Sequence, residues 1–99
     1  MATGTATIDF GAFPGQTDTS LAITGQAAIV SGSLVEAWIR PVATADHSAD
    51  EHMVECVHVF AANIVAATGF TIHGRSTWIG PGRQSHNLYG TFTIAWAWV

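Results

Sequence analysis

At 99 residues, 48% of them hydrophobic and only 10% charged, the chain is long enough for one domain with a single modest core. It has no lysine; Arg40, Arg75 and Arg83 face seven acids for a net charge of -4, which excludes the clustered cations of a nucleic-acid surface. No apolar run reaches the roughly 18 residues of a membrane span. The single cysteine, Cys56, excludes an internal disulfide and a thiolate zinc cluster.

In chain order, the apolar runs are short and punctuated by glycine and threonine. Ala6 to Phe10 reads as a first strand that Thr3-Gly4-Thr5 extends backwards, and Pro14-Gly15 marks the turn after it. The opening residues lack the basic start and apolar run of an export leader, so synthesis in the cytosol is expected. Asp18 to Thr24 is a second strand and Ala27 to Val30 a short third. Leu34 to Val42 alternates clearly: Val35, Ala37 and Ile39 on one face, Glu36, Trp38 and Arg40 on the other. Pro41 places this strand at an edge, because proline cannot donate to a ladder.

Ser48-Ala49-Asp50-Glu51 has the spacing of a capping box and predicts one helical turn. Met53 to Phe60 reads as the fifth strand, Asn63 to Ala67 as the sixth and Gly69 to Ser76 as the seventh, with Phe70 and Ile72 opposed to His73 and Arg75. A Gly- and Pro-rich loop over 78–87 leads into a last strand from Leu88. In that strand Phe92, Ile94, Trp96 and Trp98 share one face, opposite Thr91, Thr93, Ala95 and Ala97. Seven or eight short antiparallel strands over 1–99 describe an all-β domain, a β-sandwich of jelly-roll type.

Candidate chemistry is sparse. Asp46 to His52 holds two imidazoles and three carboxylates, so His47, Asp50 and His52 are the candidates for a divalent ion. His47 and His52 are five residues apart, off a common helical face, and a solvated, capping connection is the favoured reading. Cys56 and His58 sit two apart without a third group to orient a base, and no Gly-x-Ser-x-Gly turn is present. No catalytic residue and no cofactor is assigned.

Protein contact is the better-supported expectation. Arg and Trp are favoured interface anchors, and the stretch 75–89 carries Arg75, Trp78, Arg83 and Tyr89. Trp38 and Arg40 on the fourth strand and Trp98 on the last complete the candidate interface. So large an aromatic face at the last strand exceeds the needs of a small core. Trp96 is therefore expected inside and Trp98 at or near a subunit contact, where a charged replacement dissociates the assembly before it unfolds the domain. Too few charges for a soluble free monomer point the same way.

Four stretches carry a resemblance: Gly4-Thr5-Ala6-Thr7-Ile8-Asp9-Phe10-Gly11, Ser33-Leu34-Val35-Glu36-Ala37-Trp38-Ile39, the connection Thr44 to His52, and the close Tyr89-Gly90-Thr91 to Trp98. They resemble small proteins encoded in the structural regions of tailed bacteriophages and prophages. The resemblance implies a non-enzymatic virion component: a capsid decoration or cement protein, a head-fibre base or a small tail module. Its expected partners are copies of itself, as a trimer by preference, and the major capsid protein or other virion proteins, with neither nucleic acid nor membrane. A tail or adhesion module binding host glycan is the alternative.

Overall fold

The structure, a computed structural model, describes residues 2–77 and 87–99. Among them are six strands and one short helix: β1 (Ala2–Asp9), β2 (Asp18–Ile23), β3 (Val35–Ile39), α1 (Ala49–Val54), β4 (Val57–Val65), β5 (Gly69–Ser76) and β6 (Thr91–Trp98). They form two three-stranded antiparallel sheets, ordered β1-β6-β3 and β2-β5-β4. β3 runs alongside β4 where the sheets meet, and β1 lies more loosely beside β2.

The alternation of β6 explains its central place. Phe92 and Ile94 are fully buried, and Trp96 is buried between the sheets as expected. The same core holds Ile8 of β1, which is paired with Phe92, together with Ile72 and Phe70 of β5, Val59 of β4, and Phe10 and Ile29 from the connections. Each such side chain removed from water contributes on the order of 1.5–3 kcal/mol. Two glycines make room for the larger groups. A Cβ at Gly4 would overlap the Trp96 ring, and one at Gly74 would press on Ile8 and Phe10.

β2 and β5 fall within a residue of the sequence-based strands, and the fourth-strand alternation holds: Ala37 is buried while Glu36 and Trp38 are exposed. The all-β assignment therefore stands, with three corrections, two of which bring the strand count to six among the described residues. Ala27 to Val30 is no strand but a turn that drops Ile29 into the core, where its carbonyl accepts the Ala67 N–H. Met53 and Val54 belong to α1, and their side chains are exposed. The expected fifth and sixth strands are one, β4, interrupted by a bulge between Ala62 and Val65 with Asn63 at φ 55°.

Candidate functional site

The cluster Asp46 to His52 turns out to complete the first sheet. β3 ends at Ile39, whereas β6, its neighbour, begins at Thr91. In their register Ile39 faces Ile94, so the main chain of Thr91 to Thr93 lies beyond the reach of β3. Buried backbone groups must find partners, and here the connection supplies them. The Arg40 N–H donates to the Thr93 carbonyl at 2.9 Å. Thr93 donates its own N–H to His52 Nε2 at 2.8 Å, and its hydroxyl to the Val42 carbonyl at 2.8 Å. Thr91 donates its N–H and its hydroxyl to Asp46 Oδ2, both at 2.9 Å, and its carbonyl accepts the Thr44 hydroxyl at 2.8 Å. Side chains stand in for a strand.

Both histidines are buried and their partners define their protons. His52 Nδ1 donates to the Ser48 carbonyl at 2.7 Å, which leaves the Nε2 lone pair for Thr93. His47 stacks on Phe92, with ring centroids 4.2 Å apart, and donates from Nδ1 to Glu51 Oε2 at 2.8 Å and from Nε2 to the Tyr89 carbonyl at 2.6 Å. Two oxygen acceptors favour the doubly protonated ring. Ser48 caps α1 by accepting the Glu51 N–H, as the sequence predicts, while the Glu51 side chain serves His47.

Burial is the largest single influence on His47 and acts to lower its pKa. The Tyr89 carbonyl, the Glu51 carboxylate and the charge of Glu55 together outweigh it, so the net shift is upward. The Thr91 N–H, then its hydroxyl, hold the Asp46 carboxyl below its ordinary value. A raised His47 stabilises the fold fully below its ordinary value of 6.5, and that contribution is lost as pH rises through the raised value. A lowered Asp46 contributes fully above its ordinary 3.8, and that contribution is lost as pH falls through the value below it. Denaturation midpoints followed across pH are therefore expected to decline at both ends. Glu51→Gln should move the alkaline decline to lower pH, and Asp46→Asn should flatten the acid limb.

All four ring nitrogens of His47 and His52 are thus engaged by the chain itself. Asp50 lies exposed in the first turn of α1, and no group of three or more His, Cys, Asp or Glu is placed to hold a metal ion among the described residues. Cys56 is half-buried and precedes β4, outside the strand expected from Met53 to Phe60, and its carbonyl accepts the Thr77 N–H.

The candidate interface residues divide between surfaces. Trp38 and Arg40 lie on the outer face of the first sheet, where Trp38 faces Ala95 and, beyond it, Thr5. Arg75 lies on the outer face of the second, in a row with Asp18 and His58. Beside that row, Phe60 stacks with His58 and His73, at centroid distances of 5.7 and 5.3 Å. A depression of about 280 Å³ opens here, lined in part by Asp18, Phe60, His73, Arg75 and Ser76. Tyr89 lies two residues before β6, against Phe13, with centroids 5.4 Å apart. Trp98 is partly buried against the core and donates its indole N–H to Gln26 Oε1 at 2.8 Å. Trp78 and Arg83 lie outside the described residues.

Sequence reasoning did not find the exposed apolar groups at the two ends of β6. Leu34 and Val99, 76% and 67% exposed, exchange backbone hydrogen bonds at one end, and Phe13, 78% exposed, sits with Tyr89 at the other. Their sequence signal, single apolar residues beside turns, is indistinguishable from core. Comparison with protein families, with curated proteins and with solved structures finds no match. Fold and site together define a class: an all-β two-sheet domain whose polar cluster bonds its own backbone and whose apolar side chains are partly uncovered.

Proposed function

We propose that this chain is a non-enzymatic structural protein of a bacteriophage particle, an oligomeric capsid decoration protein that stabilises the shell through protein–protein contacts. The observation that carries this reading is the uncovered apolar surface: Phe13, Leu34, Met53, Val54 and Val99 are each at least two-thirds exposed on a chain with only 10% charged residues. Scattered exposed hydrophobics are ordinary, but paired groups at both ends of a small domain mark contact sites. The engagement of the one dense polar cluster in hydrogen bonds to β6 supports a role without catalysis. In this reading the two sheets belong to a jelly-roll-like sandwich, and copies of the chain meet each other and the major capsid protein.

Native mass over a range of concentrations tests the reading. An oligomer is expected, and a monomer at every concentration would overturn it. Trp98 contributes to its own core, so a charge there lowers stability along with assembly. Leu34→Glu, on an exposed side chain, is the cleaner probe, and it should weaken assembly with little change in melting temperature.

A second reading, a glycan-binding module of the tail or an adhesion device, is favoured by the depression beside Phe60, where the buried Ser76 hydroxyl has no partner among the described residues. Chemical-shift change at His73 and Arg75 on adding host oligosaccharides would support it, and silence there would dispose of it.

A further inference from the structure

We infer that the outer edge of β1 is the primary contact between copies of this chain, paired antiparallel with the same edge of a second copy. This rests on the assembly reading above and adds a backbone edge to the apolar contact groups named there. The direction of the backbone groups follows from β6. Arg40, His52, Asp46 and Thr44 all satisfy Thr91 and Thr93 from the side on which β3 lies. Hydrogen-bonded and non-bonded pairs alternate along an antiparallel ladder. The main-chain groups of Phe92, Ile94, Trp96 and Trp98 therefore point toward β1, against Ile8, Ala6, Gly4 and Ala2. The Phe10 N–H donating to the Gly90 carbonyl at 2.9 Å continues the same parity. Thr3, Thr5, Thr7 and Asp9 must then turn their N–H and C=O groups outward, to an edge where no strand among the described residues is hydrogen-bonded to β1 and β2 lies only loosely alongside.

Exposed edges are normally blunted, and the other three are. β3 and β4 lie against one another, and β4 carries its bulge at Asn63. By the parity set by the Ser76 N–H on the Thr17 carbonyl, β2 turns outward only Asp18, Ser20 and Ala22, and Asp18 brings a charge. β1 has eight residues, no proline, no bulge and no charge before Asp9.

A second copy fits this edge better than a loose peptide. Its β1 is already extended, so pairing does not have to order a free chain. The edge is also self-complementary under a two-fold axis. With the axis at Thr5, Thr5 meets the partner's Thr5, and Thr3 meets the partner's Thr7. This makes about six backbone hydrogen bonds at two per facing pair, with no like charges opposed and threonine against threonine on the outer face. Joining three strands to three gives one continuous sheet. The contact is small beside the roughly 800 Å² per partner of stable complexes, so it forms at high local concentration, as on a shell that holds many copies.

Amide hydrogen exchange on the unaltered protein tests this. Gly4, Ala6 and Ile8 should be protected at all concentrations. Thr3, Thr5 and Thr7 should exchange at least ~10-fold more slowly once the native mass doubles. Fast threonine exchange within a proven oligomer would overturn the β1 contact and leave the assembly reading standing, whereas a monomer throughout would overturn both. Thr5→Lys and Thr5→Glu should each be monomeric under conditions where the parent chain pairs, and mixing them should restore a dimer, since opposite charges then meet at the axis. Normal pairing of Thr5→Lys alone, or a mixture that stays monomeric while the threonines of the parent are protected by another strand, would refute the two-fold pairing.

Discussion

Phe92→Ala is expected to remove a large share of the stability of this domain. The ring is fully buried, meets Phe10 edge-on at a centroid distance of 5.8 Å, carries the stacked His47 ring at 4.2 Å and touches His52 at 5.3 Å. It therefore joins the core to the connection that completes the first sheet. Truncating a buried phenylalanine costs about 3–5 kcal/mol through lost transfer energy and the cavity left behind. A domain of this size has only about 5–15 kcal/mol in total. Urea denaturation should show the midpoint falling by roughly a third or more. The His47 ring should lose its stacked environment, which its proton chemical shifts would report. A cost near 1 kcal/mol would mean that the two packing layers do not share this ring.

Much of that architecture is legible in the sequence, because it depends on side-chain period alone. Gly69–Ser76 reads as a strand with Phe70 and Ile72 inward, and it is one. Ser48 announces its helix because capping is a local hydrogen bond between residues three apart. Ile29 misled for a physical reason. An apolar residue inserted into the core from a turn looks like one face of a short strand, and only the Ala67 N–H on its carbonyl reveals the difference. Met53 and Val54 misled in the opposite sense, being apolar yet exposed on α1. Asn63 reads as the start of a separate strand, whereas it sits at φ 55° in a bulge through which β4 continues.

The polar cluster was the least legible part. Its composition suggests ligands, and its spacing argues against a shared helical face. Neither shows that Asp46 and His52 bond residues 45 and 41 positions away in β6. Partners that distant in sequence leave no local signal. Nor does the sequence reveal that β3 stops short of β6, which is the geometric reason the cluster is needed.

His52→Ala should therefore cost more than Asp46→Ala, although both delete one acceptor from the same strand. Thr93 is 9% exposed, so water cannot readily replace the imidazole, and an orphaned buried donor costs about 1–3 kcal/mol before the lost ring contact with Phe92 is added. Asp46 is exposed and water can reach the Thr91 N–H and hydroxyl once the carboxylate is gone, so its removal should cost less. Urea midpoints rank the two variants, and amide exchange at Thr93 and Thr91 locates the effect. Thr93 should become fast-exchanging in His52→Ala while the amides of Ile94 and Trp96, which face β1, stay protected. Equal costs, or a Thr93 amide still protected without the imidazole, would show that another group closes the ladder. The prediction also separates structure from chemistry: a histidine held for catalysis or a metal ion would be removable at little cost to the fold, whereas this one replaces a missing strand.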